Sequence, residues 1–419
     1  MYLPIIYILL GIFGVIAWQN FRLAVFIFLA VLPVYLLRLN FFEIPTTMLE
    51  LMFGVITIFW IIELTKEKSN FSFSKPWLVP FCLLIVAGVI GVAIAPDKLA
   101  ALGILKAYLI EPIIFFFILY TTLKKSDDLE KSLMFLGLGG LTAAGFAIFQ
   151  HVTGQAIPIP WDIEGRVTGF FPYPNALGLY LGPIIILGFF AFWHSLKTEQ
   201  YLRVGFWFLT LCLSVAAIIF SQTEAAWIAI PSALLIIGLF HQKTRWRVIF
   251  LIIAATIIVL SSSTIQQKIF LQDYSGNVRL KQWEESWNML KNNWLFGAGL
   301  SGYPIALEPY HTYKEIEIFQ YPHNIILNIW TELGLLGLFT AVWLKIVSLI
   351  TFYRGQKRYR SFNWLVFAAG ATLIEMTIHG LVDVPFFKND LALLTAAILV
   401  FLTWSTNKSY DYKNDIIEK

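Results

Sequence analysis

Thirteen apolar runs follow one another along this chain and leave little room for a water-soluble fold. They lie near 3–18, 22–38, 47–63, 77–95, 103–122, 133–151, 174–193, 203–221, 223–240, 246–262, 323–353, 362–380 and 390–405. A helix crosses the hydrocarbon layer of a bilayer with about 20 apolar residues, and most of these runs approach that length. Inside the layer every backbone N–H and C=O needs a partner within the segment, so the runs are read as helices. Charged residues make up 13% of the 419, against about 25% in an average soluble protein. The chain therefore reads as an all-α, polytopic membrane protein. About twelve to fourteen spans are allowed, because closely spaced short runs could merge or re-enter. Cys82 and Cys212 sit inside apolar runs and read as small core residues rather than a disulfide. The start lacks a basic segment, so no cleavable signal peptide is expected.

The basic residues alternate with the runs. Lys66, Lys68 and Lys75 lie in one loop, Lys124, Lys125 and Lys131 in the next but one, then Lys197 with Arg203, and Lys243 with Arg245 and Arg247. Arg354, Lys357, Arg358 and Arg360 form a further set, and Lys408, Lys413 and Lys419 close the chain. The loops between are nearly free of Lys and Arg, apart from one large one. The positive-inside rule puts the basic set in the cytoplasm. Segments 152–173, 263–322 and 381–389 then face outward. The chain divides into an N-terminal transmembrane region at 1–262, a large extracytoplasmic loop at 263–322, and C-terminal helices with a short tail at 323–419.

The outward segments hold the polar residues that need a reason. Arg166 sits before Pro172, Pro174 and Asn175; Pro174 fixes the backbone, and Asn175 is read as the N-cap of the next helix. Arg166 is either an interfacial cation snorkelling to water or a guanidinium held for a phosphate. The run RLKQWEESWNMLKNN puts Leu280, Trp283, Trp287 and Leu290 at helical spacing, which predicts a helix with one apolar stripe on the membrane surface. Arg279 would stand near its N-terminus, where the helix dipole disfavours a cation unless an anion is near. Trp283 and Trp287 read as structural anchors or as a cover over a headgroup.

His323 and Asn324 open the next run, with Glu332 nine residues on and able to point inward. A lone His at a helix start is more often a cap than a catalyst, but this one shares a face with both arginines. Neutral imidazole can accept a proton from a sugar hydroxyl. Glu224, His379 and Asp383 lie at outward helix ends, with Glu375 one turn before His379. They could contact sugars, pair with the arginines, or be ordinary interfacial residues. No Walker lysine, dinucleotide loop or metal-spaced cysteine pair is present. No cofactor, metal or nucleic-acid partner is expected.

Three stretches together resemble the O-antigen ligase and O-antigen polymerase superfamily of bacterial membrane glycosyltransferases. They are RVTGFFPYPNALGLYL, RLKQWEESWNMLKNNWLFGAGLSGY and YPHNIILNIWTELGLLGL, in the family's order and around its large loop. The resemblance implies transfer of a glycan from an undecaprenyl diphosphate carrier at the outer face of the bacterial cytoplasmic membrane. The acceptor would be a hydroxyl on a lipid, glycan, protein or wall polymer. It implies that Arg166 and Arg279 bind the donor diphosphate, that Arg279 and His323 are catalytic, and that His323 serves the acceptor. Glu224, Asn324, Glu332, His379 and Asp383 are possible sugar contacts. Many members carry an arginine where SQTEAA has Glu224, so one phosphate-binding charge is replaced here by its opposite. A repeat-unit polymerase is a second reading, and a lipid-linked glycan transporter a third.

Overall fold

A computed structural model describes residues 3–41, 44–66, 75–358 and 363–407. Lys68, Arg360, Lys408, Lys413 and Lys419 lie outside the described residues. The apolar runs form helices: α1 (Leu3–Gln19), α2 (Phe21–Ala30), α3 (Met48–Lys66), α4 (Lys75–Ile94), α5 (Lys98–Ile104), α6 (Glu111–Thr122), α7 (Ser126–Thr153) and α8 (Pro174–Lys197). There follow α9 (Tyr201–Ser221), α10 (Glu224–Leu239), α11 (Arg245–Ser261), α12 (Ser263–Ile269), α13 (Tyr274–Asn292) and α14 (Tyr303–Leu307). The last three are α15 (Ile325–Arg358), α16 (Trp364–His379) and α17 (Asn389–Asn407). One turn of π-helix, Leu105–Ile110, joins α5 to α6, so Lys98–Thr122 is a single rod.

Among the described residues, eight helices are long and apolar enough to cross a membrane, and four more, α1, α2, α10 and α16, are apolar but shorter. The bent pair of α11 with the segment ending α13 brings the total to thirteen if each crosses. Two expectations shift. The run at 22–38 is helical only to Ala30; it then turns through a short 3-10 segment into a hairpin, β1 (Arg38–Phe41) and β2 (Ile44–Thr47). Pro33 accounts for the stop, because it removes a helical donor and disfavours helix at Leu32. Cys82 and Cys212 are free and exposed, not core.

The bundle is built round α8 and α17. The hydropathic window of α8 is 78% buried and that of α17 is 94% buried, so both are enclosed by other helices, not lipid. Bulky α17 side chains such as Phe401 and Trp404 fill the interior, and Trp404 Nε1 donates to Leu123 O at 2.9 Å. Helices α7, α9 and α16 pack on α8, and α6 and α15 on α17.

The two ends of the bundle differ in chemistry. The basic loops that are described fall at one end. There Arg203 pairs with Asp127 and Glu130, Lys131 with Asp127 at 2.7 Å, and Arg22 with Asp128 at 2.8 Å. Asp128 also accepts from the Lys124 and Lys125 backbone N–H groups, which caps α7. The segments read as outward gather at the opposite ends of the same helices.

Candidate functional site

At that second end lies a cleft of about 740 Å³. Arg166, Pro174, Asn175, Glu224, Arg279 and His323 all line it. They come from four segments far apart in sequence.

The first wall is the loop before α8. Val167 N donates to Phe220 O at 3.4 Å, tying this loop to the α9–α10 turn. Arg166 Nε donates to Ser221 O at 3.0 Å, and its guanidinium lies 5.0 Å from the Trp161 ring centroid. Glu164, itself exposed, is 3.5 Å away. A carbonyl partner fixes a guanidinium's direction without cancelling its charge, unlike a buried carboxylate. Asn175 is not the cap of α8: Tyr173 holds that position without a side-chain bond, and Pro174 takes the first helical place that its missing N–H suits. The Asn175 side chain is left to line the cleft.

The α9–α10 turn supplies Glu224. Its carboxylate is taken by Lys268 of α12, which also lines the cleft. The acidic replacement is therefore neutralised by a lysine rather than by either arginine. The charged lining comprises Arg166, Arg279 and Lys268 against Glu224 and Asp273, so the cleft is net cationic.

The second wall is α13. It starts at Tyr274 with Asp273 as N-cap, so Arg279 stands in its second turn, away from the exposed N–H groups. The dipole argument for an anion at Arg279 loses its force, and geometry replaces it. Arg279 Nε donates to Val382 O at 3.0 Å, and one terminal nitrogen reaches Ser275 Oγ at 2.7 Å. Both of these partners are uncharged. The face of α13 turned into the protein carries Gln282, Glu285, Ser286 and Met289 with Leu290, while Leu280 and Trp287 of the stripe are exposed. Polar groups can face inward because each is bonded. Burial pushes the Glu285 carboxyl up, but the Tyr313 and Thr312 backbone N–H groups and the His311 side chain outweigh it and hold it below its usual range. Trp283 is structural in a specific way: its Nε1 donates to Pro322 O at 2.8 Å. Gln282 Nε2 grips Tyr321 O at 2.8 Å. Trp287 stacks edge-on with Trp330, their ring centroids 5.7 Å apart.

These bonds hold the third segment. His323 has φ +42, in the left-handed region that non-glycine residues enter at a cost. Its ring packs against Phe319 and Tyr321, with centroids 5.2 and 4.7 Å away. Its Nδ1 lies 3.4 Å from Asp383 Oδ1. Burial raises the Asp383 carboxyl, but the His323 imidazole beside it, with His379 and the Val384 N–H, holds it below the usual carboxylate range. An ionised Asp383 favours the proton on Nδ1, which leaves Nε2 as the nitrogen with the lone pair.

Other residues singled out in the sequence serve the scaffold. Asn324 caps α15: its Oδ1 accepts from Ile326 and Leu327 N–H at 3.0 and 3.1 Å, and its Nδ2 donates to Leu381 O. Glu332 points away from the cleft and accepts the Ser301 N–H at 2.6 Å. His379 and Glu375 are buried and paired at 3.1 Å, and neither lines the cleft. Asp383 is buried behind His323.

The glycine motifs explain how α13 and α15 keep register. α15 breaks at Gly334, φ +66, where Leu335 N donates to Leu295 O at 2.9 Å. Opposite it, Gly297 has φ +70, and Ala298 N donates to Thr331 O at 2.6 Å. A Cβ on Gly297 would stand 2.4 Å from the Thr331 and Trp330 carbonyl oxygens. The two motifs are therefore the halves of one backbone-to-backbone joint.

Fold and site together define a polytopic, predominantly helical membrane protein with a cationic cleft at one end of its bundle. The family model described as O-antigen ligase matches residues 209–344, from α9 into α15. Over that stretch the chain is similar to the O-antigen ligase superfamily, and the match supports glycan transfer of the ligase or polymerase type. No curated protein matches the chain.

Proposed function

We propose that the protein transfers a glycan from an undecaprenyl diphosphate carrier to a hydroxyl acceptor, at the outer face of a bacterial cytoplasmic membrane. One observation carries this reading. Arg166, Arg279 and His323, from three separate segments, line a single cleft in which neither arginine is neutralised by a buried carboxylate.

The donor carries its own activation. The acceptor O–H attacks the anomeric carbon as its proton passes to His323 Nε2. The bond from that carbon to the phosphate oxygen breaks, and undecaprenyl diphosphate leaves with the electron pair. Arg166 and Arg279 stabilise the negative charge as it develops on the diphosphate, where electrostatic help is worth most. Asp383 holds the imidazole tautomer and stabilises the imidazolium. A single displacement inverts the anomeric centre. The acceptor decides between ligase and polymerase chemistry, since both use the same donor step.

The test is to incubate the purified protein with undecaprenyl diphosphate-linked glycan and lipid, glycan and peptide acceptors. Release of undecaprenyl diphosphate with a new glycosidic bond is expected, and His323→Ala should slow it by about 10²–10⁴-fold. Wild-type protein that releases none with any acceptor overturns the reading.

A further inference from the structure

Behind the cleft sits a lysine that none of these roles uses. Lys388 closes the loop before α17; its side chain is half-buried, and its Nζ is enclosed and makes no hydrogen bond. Instead it lies 4.2 Å from the Tyr173 ring centroid and 5.7 Å from that of Tyr321. Those rings line the cleft from two different walls, and their hydroxyls meet at 3.2 Å. Tyr321 is in turn the ring against which His323 packs, 4.7 Å away. One ammonium thus holds together the loop before α8 and the loop before α15. A desolvated cation attracts an aromatic face more strongly than a solvated one does, which favours one arrangement of the pair.

We propose that Lys388 is a positioning residue: its charge clamps Tyr173 to Tyr321 and so sets the His323 imidazole against Asp383 and the cleft. The inference rests on the transfer reading for its kinetic consequence, but its structural content stands apart from it. A neutral lysine would lose the cation–π attraction, and Tyr321 would be free to turn away from His323.

The groups facing Lys388 make its charge sensitive to pH. Burial pushes its ammonium down to about 8, while Asp390 on α17 opposes the shift. Tyr173 and Tyr321 present rings, and around Tyr321 lie Asp383, Tyr108 and Tyr35. Burial raises the Tyr321 hydroxyl well above its ordinary value, so it stays protonated when Lys388 titrates. Since the lysine pKa is lowered, the clamp is complete below pH 8 and fails as pH rises through it.

Lys388→Arg and Lys388→Met, purified as full chains, test this in two ways. With undecaprenyl diphosphate-linked disaccharide as donor, the wild type should lose kcat on an alkaline limb centred near pH 8. The Arg variant should lose that limb, and the Met variant should fall about tenfold or more in kcat at neutral pH with donor KM little changed. Independently of any substrate, acylation of His323 by diethyl pyrocarbonate, followed peptide by peptide, should rise several-fold in the Met variant and stay near wild type in the Arg variant. If His323 reactivity is the same in all three proteins, the clamp is wrong, whatever the transfer assay gives. If wild type shows no transfer but the reactivity pattern holds, the proposed function fails and the clamp stands. A Met variant with wild-type kcat, or an Arg variant that keeps the alkaline limb, overturns the inference.

Discussion

The two ends of this bundle hold similar residues put to opposite uses. At the end with the basic loops, arginine meets carboxylate: Arg203 with Asp127 and Glu130, Arg22 with Asp128. At the cleft end, Arg166 and Arg279 direct their Nε donors to the carbonyls of Ser221 and Val382. A carboxylate satisfies both the geometry and the charge of a guanidinium; a carbonyl satisfies only the geometry. The first arrangement closes a surface. The second leaves a positioned cation, which is what a diphosphate needs. Counting cations would not have separated the ends. Their partners do.

The sharpest way to break this contrast is to remove a cleft cation. Arg279→Ala should lower transfer by about 10²–10³-fold while the protein still inserts and folds, as for the loss of one preorganised donor to a developing anion. Arg279→Lys should not restore it, because an ammonium cannot hold both Val382 O and a phosphate in a fixed fork. A transfer rate near wild type in either variant would show that the free charge at this end does no chemistry.

The next effect is expected at the other end and in a different observable. Asp128→Ala removes the cap of α7 and the Arg22 partner. It should cost about 1–2 kcal/mol of stability, seen as a lower Tm, with kcat per folded molecule unchanged. A kcat defect at full occupancy of the folded state would mean the two ends are coupled.

The smallest effect belongs to Glu224, the residue at odds with the family pattern. Its pairing with Lys268 is partly exposed, so Glu224→Gln should change stability by less than about 1 kcal/mol. Released from that partner, Lys268 should modestly lower the KM for the donor. A sharp fall in kcat instead would assign the carboxylate a direct part in acceptor binding.

Much of this was legible without coordinates. The helices α3 to α11 and α15 to α17 fall close to the apolar runs, because hydrophobic length in a bilayer leaves the backbone no other choice. Arg166, Arg279 and His323 stood out because polar residues are costly in such a chain and these shared one face. Misreadings came where local pattern met tertiary demand. Asn175 has a cap's composition but a cleft's position, since Pro174 had already begun the helix. The apolar spacing gave the helical period of α13, but not that Gln282 and Glu285 would find backbone partners across the loop and turn into the protein. Asn324, chosen as a sugar contact, spends its side chain on capping α15 and holding Leu381.

The sequence by itself determined that the chain is a helical membrane protein, that its basic loops share one end, and that its reactive-looking residues share the other. Hydrophobicity and charge are additive along a chain, so composition and order carry that information. Only the tertiary structure decided that Asp383 stands behind His323, that Lys268 answers Glu224, that Lys388 lies beneath Tyr173 and Tyr321, and that Gly297 meets the carbonyls of Trp330 and Thr331. Each of these joins residues separated by long stretches of chain. Hydrogen bonds and ion pairs act over a few ångströms, and only the folded bundle sets which distant residues come that close.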